Sequence, residues 1–176
     1  LKEPTVRSSI EDHNGYVYVV LHFPVYNPQK KVSESAEIDF IITPDTLISV
    51  HYEEIEPLED FLKKCRPASS PLKRSSMNRS SIYLFCNLIK NFYGFSLRQL
   101  DHIDEKISQI EEAIFGGREK EMLFALSLVR SDVLNFLRTL KPQGTMLESL
   151  IARSESFENK AKPYLIDLLG EHQRVL

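Results

Sequence analysis

The chain has 176 residues and a formal net charge of −3 at pH 7, with 42% hydrophobic and 27% charged residues. This composition is typical of a folded globular protein, and the small negative charge gives no electrostatic reason to expect a nucleic-acid partner. The two cysteines, Cys65 and Cys86, are too few for a disulfide framework or a cysteine-rich zinc site. The longest apolar run is shorter than the roughly 20 residues that a membrane-spanning helix needs.

The first part of the chain is predicted to form a small antiparallel sheet. Stretches rich in β-branched and aromatic residues occur at Tyr16–Tyr26, Ala36–Ile42 and Thr46–His51. The turn at 43–45 predicts a hairpin between the last two strands, and the polar connection at 27–35 predicts a further antiparallel pair. Pro24 is expected near a strand end or on an edge, because proline cannot donate a hydrogen bond to a neighbouring strand.

A short helix and a polar segment come next. Pro57 is predicted to start the helix and Pro67 to end it. Its apolar face consists of Leu58, Phe61 and Leu62. The segment 66–81 is rich in serine and carries four basic residues, which indicates a solvated linker. The alternative is a basic surface that faces a negative partner or lipid headgroups.

From Ile82 onward the apolar residues recur every three or four positions, which predicts long helices. The first helix has about 35 residues, spans roughly 50 Å, and ends at Gly116-Gly117. The short Gly-Gly break makes the second helix its antiparallel neighbour. The second helix is expected to end at 142–144, where Pro142-Gln143-Gly144 stand. A third helix carries its apolar positions from Leu147, Leu150 and Phe157 to Val175.

The spacing of apolar residues alternates between three and four from Leu100 to Ile114 and again from Met122 to Leu140, as in the seam of a coiled coil. A helix longer than a small sheet domain must pack on other helices or on other subunits. The sequence therefore predicts an α+β fold with α/β/α layers, in which a small, mainly antiparallel sheet is followed by three long helices, the last one a stalk. Residues 1–74 form the sheet part and residues 75–176 the long-helix part. Because the chain begins at Leu1 and stops inside a helical pattern, we expect a piece of a longer protein.

Chemically reactive patterns are sparse. The five histidines show no metal-binding spacing, and no phosphate-binding loop or Ser/His/Asp arrangement is visible, so we predict that the chain is not an enzyme. The first long helix carries a run of acids: Asp101, Asp104, Glu105, Glu111 and Glu112. We interpret them as a solvated face with Arg98 and Lys106 as helical partners. A weak surface for divalent ions is the alternative.

Several stretches, in order along the chain, match sequence patterns of one known family. They are Pro4-Thr5-Val6 followed by Asn14–Leu21, Glu37–Ile42 with Leu47–His51, Leu88-Ile89 with Leu100, Ile103–Ile107 and Glu111-Glu112, and Pro163–Asp167 with Glu171-His172. The chain resembles the cytoplasmic domain of the CorA-type magnesium transporters. Their patterns over these stretches read RPKV…YxFxVL, xxxFILxxxxLITVH, LxxIDxxIxxLEE and PYFRDVYDH.

The resemblance implies a homopentamer with a funnel-shaped domain on the cytoplasmic side of the inner (plasma) membrane. A stalk helix would continue into the first transmembrane helix, followed by a Gly-Met-Asn motif at the pore entrance. None of that membrane part lies within these 176 residues. The resemblance thus implies the regulatory domain of a divalent-cation transporter, which senses the cation and gates the pore through the stalk helix.

The resemblance also implies a regulatory metal site. In the family, magnesium bound between adjacent cytoplasmic domains helps to hold the pore closed, and Asp167 matches one of the carboxylates. The partner carboxylates would lie ahead of residue 1, and Lys90 stands where some members have a third acid. A lysine there would repel a divalent cation or form an ion pair with Asp167. The expected ion is Mg²⁺, bound weakly, with Co²⁺, Ni²⁺ and Zn²⁺ as alternatives, and a solvated helix carboxylate is the other interpretation of Asp167.

A second hypothesis comes from another class of protein. The regular seam from Leu100 to Leu140 also fits a soluble helical scaffold whose long helices bind a partner helix. Membrane-spanning segments in the remainder of the gene would favour the transporter.

Overall fold

The computed structural model describes residues 8–27, 29–30, 32–66, 80–154 and 161–176. Its strands are β1 (Ser9–His13), β2 (Tyr16–Asn27), β3 (Val32–Ile42) and β4 (Leu47–His51). Its helices are α1 (Glu56–Cys65), α2 (Ser81–Phe115), α3 (Glu119–Ala152) and α4 (Ala161–Val175). The predicted α+β class is confirmed.

The four strands form one antiparallel sheet in the order β1-β2-β3-β4. All three predicted strands and both antiparallel pairings are present, whereas β1 was not predicted. It pairs with β2 across a turn that contains Gly15, whose φ of +93° favours glycine. The described pairing of β1 with β2 ends at Val20, so Pro24 lies beyond it and removes no hydrogen bond from that pairing.

One face of the sheet and all four described helices build a common core. Odd positions of β2, such as Val19 and Leu21, and even positions of β3, such as Ile38 and Phe40, are fully buried. The side chains of α2 pack directly on them: the Phe40 and Phe85 rings meet edge to face with their centroids 5.2 Å apart. The intervening even positions of β2 are buried as well, so the middle of this strand is covered on both of its faces.

The helix lengths are partly as predicted. Helix α2 has 35 residues and ends at Gly116, which confirms the first long helix. The predicted end of the second helix at 142–144 is wrong, because α3 continues through Pro142 to Ala152. Proline removes one helical hydrogen bond, and burial of Leu140 and Leu147 on either side of it keeps the helix continuous. Leu147 therefore belongs to α3 and not to a third helix.

The outer halves of α2 and α3 pack on each other through a second, smaller core. Ile103, Ile110 and Val129 are its buried members, and the seam predicted for an antiparallel helical pair is confirmed for these residues. Two predicted apolar contacts are wrong: Leu126 of the seam is 48% exposed and Leu62 of α1 is 46% exposed. Each of these side chains lies beside the buried stripe of its helix and not within it.

Some sequence predictions lie outside the described residues. They concern 4–6 in the family pattern, most of the serine-rich segment 66–81, the end of the short helix at Pro67, and the apolar position of Phe157.

Candidate functional site

Asp167, the predicted metal ligand, lies on α4 where this helix packs against α2. Three side-chain contacts join the two helices, and they occur in the same order along each helix, so α4 runs parallel to α2. The contacts are Tyr83 with Tyr164, Lys90 with Asp167, and Tyr93 with His172. The Asp167 side chain thus faces α2, as expected if Lys90 forms an ion pair with it.

Lys90 and Asp167 form an ion pair between α2 and α4. The side chain of Asp167 is 60% exposed and that of Lys90 is 31% exposed. An ion pair so open to water contributes at most about 1 kcal/mol. Beneath it lies the buried Cys86, whose pKa is raised to about 12 by burial, with Asp167 adding to the effect and Lys90 opposing it. The ion pair is therefore a surface contact that lies over buried residues of the core.

Metal ligands do not converge at Asp167 in the part of the chain that the structure describes. Among the described residues, no group of three or more histidine, cysteine or carboxylate side chains is placed to hold a metal ion. Magnesium is a hard cation that prefers several oxygen ligands, including water. The described residues of one chain therefore do not form a metal site around Asp167, and such a site would need oxygen ligands from elsewhere.

A buried polar network joins α3 to α2 and to the sheet. Gln143 is fully buried, accepts a hydrogen bond from the Tyr93 hydroxyl at 2.7 Å through Oε1, and donates through Nε2 to the His22 carbonyl oxygen. Burial raises the pKa of Tyr93. Gln143 was predicted to be part of a helix end, and its role in this network was not predicted.

His172 fixes the contact between α3 and α4. Its Nε2 donates to the carbonyl oxygen of Leu140 at 2.9 Å, and its ring packs edge-on against Tyr93. The close approach is possible because position 144 is glycine: a Cβ there would lie 3.0 Å from the His172 ring. His172 thus has a structural role in the contact between α3 and α4.

The acidic run on α2 is exposed to solvent. The exposed carboxylates are Asp101, Asp104, Glu105, Glu111 and Glu112. Of the two proposed helical partners, Arg98 lies over the Phe95 ring, and Lys106 lies 3.5 Å from the buried carboxylate of Asp132 on α3. The contact to Asp132 was not predicted, since it depends on how the two helices pack.

Even positions of β2 and odd positions of β3 carry a second set of polar pairs, which are also buried. The Tyr18 hydroxyl donates to Asp39 Oδ2 at 2.7 Å, and His22 Nε2 lies 3.1 Å from Glu37 Oε2. Burial, reinforced by the bond to Asp39, raises the pKa of Tyr18. These pairs follow from the register of β2 with β3, which the sequence pattern did not define closely enough to predict them.

The fold and the site define a class of protein. A four-stranded antiparallel sheet supports a long helical hairpin, and a final helix lies parallel to the first long helix with an exposed carboxylate on it. Among the described residues, no helix combines the length and the apolar character needed to cross a bilayer. The class is a domain built of an antiparallel sheet and a long helical hairpin.

The chain belongs to the CorA-like Mg²⁺ transporter protein family, which matches residues 1–176. It is 22% identical over 163 residues to the cobalt/magnesium transport protein CorA of Thermotoga maritima, an alignment that covers 92% of this chain and 45% of that protein. The chain thus spans about half the length of this curated relative.

Solved structures share the fold. The soluble domain of CorA from Methanocaldococcus jannaschii superposes with a TM-score of 0.79 at 13% identity, over 96% of this chain and 65% of that one. The ZntB cytoplasmic domain from Vibrio parahaemolyticus gives a TM-score of 0.74 at 14% identity, over 96% and 64%. At such identities the likeness establishes the fold alone.

Proposed function

We propose that this chain is the cation-responsive cytoplasmic domain of a CorA-type transporter of divalent cations in the plasma membrane. The observation that carries the proposal is the family match along the whole chain. The relative from Thermotoga maritima is named for cobalt and magnesium transport, which makes Mg²⁺ and Co²⁺ the first candidate substrates and Ni²⁺ and Zn²⁺ the next. The proposal assigns the chain no catalytic activity.

In the proposed mechanism, α4 transmits the state of the domain to a pore elsewhere in the full-length protein. Helix α4 suits this task because it is held on α2 and α3 by a buried face that includes Leu165, Leu168 and His172. A cation that binds the domain can shift the pore equilibrium only by its differential affinity for the two states. We propose that the domains assemble as a homopentamer, so that oxygen ligands from a neighbouring subunit can complement Asp167.

Within this proposal, Lys90 competes with the cation for Asp167. The ammonium already neutralises the carboxylate in the single chain, and a divalent cation must displace it. Removal of the ammonium would therefore strengthen the response to the cation. Because the ion pair is largely exposed, its loss is worth at most about 1 kcal/mol, or up to about five-fold in apparent affinity.

The test uses the full-length protein in liposomes, with cation flux measured against the Mg²⁺ concentration on the domain side. Lys90→Gln should lower the Mg²⁺ concentration that closes the pore by up to about five-fold. Asp167→Asn should raise that concentration or abolish closure. Asp60→Asn is the matched control, since Asp60 forms a comparably exposed ion pair with Lys63 within α1. Unchanged closure in both site variants, with flux intact, would remove Asp167 from the mechanism.

A helical scaffold remains the second candidate, and one observation favours it. Four leucines form an exposed stripe along the outer face of α3: Leu123, Leu126, Leu134 and Leu137. Such a stripe is suited to packing on a partner helix. A full-length protein that carries no cation flux but binds a helical peptide through this stripe would favour the scaffold over the transporter.

A further inference from the structure

The connected ends of β2 and β3 meet the helical hairpin of α2 and α3 about midway along its length. At this point one residue of the sheet, Ser33, is held by two side chains of α3. Its backbone N–H donates to Asp132 Oδ1 at 2.5 Å, and its carbonyl oxygen accepts from Asn135 Nδ2 at 2.9 Å. Both backbone hydrogen-bonding groups of Ser33 thus bind to a helix, in a position where β3 has no β4 partner.

A lysine from the other helix completes this arrangement. Lys106 of α2 lies 3.5 Å from Asp132 Oδ2, and its ammonium is 4.9 Å from the centroid of the Tyr26 ring at the end of β2. Asp132 is 1% exposed, whereas the Lys106 side chain is 40% exposed. A carboxylate so deeply buried depends on these partners, because its desolvation is otherwise unfavourable. We call Ser33, Asp132, Asn135 and Lys106 the Ser33 clamp.

The Ser33 clamp lies between the main core and the outer part of the helical hairpin. Beyond it, the hairpin is held together by its own small cluster, which touches the core under the sheet through Leu100. A cavity of about 430 Å³ opens beside the clamp between the two helices. Part of its lining is small or flexible: Ala113, Met122 and Ala125. The outer hairpin can therefore change its angle to the sheet without breaking its own core.

We propose that the Ser33 clamp sets the angle between the helical hairpin and the sheet, and that its release lets the outer hairpin swing as a unit. Asp132 is the positioning residue, since it alone contacts both Ser33 and Lys106. The proposal concerns the domain itself and does not depend on transport. The arm from Asp132 to Glu119 is about 20 Å long at 1.5 Å per residue, so a swing of about 10° moves the tip by about 3 Å.

The test measures the distance from the hairpin tip to the sheet by pulsed electron resonance. Spin labels are placed on Lys120→Cys and Thr46→Cys, both exposed sites, after replacement of the native cysteines by Cys65→Ser and Cys86→Ala. Asp132→Ala should shift or broaden the distance distribution by about 3 Å or more. Asn135→Ala should do so in part, and Lys106→Gln less, because it leaves the bonds to Ser33 in place.

Two controls separate positioning from general destabilisation. Phe136→Leu loosens the main core beside the clamp without removing any of its bonds, and Asp60→Ala removes an exposed carboxylate of α1. Both should leave the distance distribution unchanged. If Asp132→Ala fails to fold, Asp132→Asn together with Asn135→Ala serves in its place. The proposal would be overturned if the Asp132 variants kept the distance distribution of the parent protein. It would also be overturned if Phe136→Leu broadened the distribution as much as they do.

Discussion

Two glycines inside long helices should respond in opposite ways to the same substitution. Replacing glycine by alanine in a helix interior favours folding by about 1 kcal/mol. At Gly94 of α2, an added Cβ meets no atom within 4 Å, so Gly94→Ala should gain this amount. At Gly144 of α3, the Cβ would lie 3.0 Å from Cε1 and 3.5 Å from Nδ1 of His172.

His172 cannot easily retreat from that methyl group. It is 2% exposed, and its Nε2 is hydrogen-bonded to the carbonyl oxygen of Leu140. Overpacking of a filled contact costs about 1–3 kcal/mol, which offsets the gain in helix propensity and leaves Gly144→Ala destabilised by up to about 2 kcal/mol. Because the propensity term is common to both variants, their difference isolates the clash and should be about 1–3 kcal/mol.

Urea denaturation of the two variants measures this difference through the transition midpoints, provided that the slopes agree. For a chain of this size, each kcal/mol corresponds to a change of about 2–4 °C in Tm. The double variant Gly144→Ala with His172→Ala should lose the clash, and together with the two single variants it gives the coupling energy. If Gly144→Ala is stabilised as much as Gly94→Ala, the close contact between α3 and α4 is not as described, and the reasoning fails.

Three further predictions concern the core and its ionisable groups. Gln143→Leu should lower the free energy of unfolding by about 2–4 kcal/mol in urea denaturation, because the Tyr93 hydroxyl and a sheet carbonyl lose their partner in a buried site; an unchanged value would contradict the network. Phe136→Ala should cost about 3–5 kcal/mol by the same assay, since the ring is 2% exposed in the main core, and a loss below about 1 kcal/mol would place it elsewhere. Alkaline pH should destabilise the fold through Cys86, since burial raises the pKa of its thiol from the ordinary 9.0 to about 12 in the folded state. The unfolded thiol loses its proton first, so the stabilisation present below pH 9 declines between pH 9 and about 12, by up to about 1.4 kcal/mol per pH unit. Cys86→Ala should reduce the slope of stability against pH, with the buried tyrosines Tyr18 and Tyr93 still contributing above about pH 10, and an identical slope in the variant would refute the assignment.

The strands and the first long helix could be predicted because each depends on a local pattern. Alternating residues in Ala36–Ile42 and the regular spacing from Ile82 to Ile114 report directly which face is buried. The extent of α3 could not be predicted in the same way. Pro142 is a local signal for a helix end, and the burial of Leu140 and Leu147 against the main core outweighs it.

In the candidate site, too, some contacts could be predicted from the sequence and others could not. The contact between Lys90 and Asp167 was anticipated as one of two alternatives, because the resemblance aligned both positions with one site. The roles of Gln143 and Asp132 could not be predicted, since their partners lie about 50 to 120 residues away and depend on helix packing that no local pattern encodes. The missed strand β1 is polar, and its turn at Asn14-Gly15 was the one available signal.

The central claim is that this domain controls cation flux through a membrane pore in response to the cation. The most direct measurement is Mg²⁺ flux through the full-length protein in liposomes, recorded while Mg²⁺ on the domain side is raised, for the wild type and for Asp167→Asn. The account predicts flux that falls with domain-side Mg²⁺ in the wild type and persists at higher concentrations in the variant. Flux that is absent, or that does not depend on domain-side Mg²⁺ in the wild type, would contradict it.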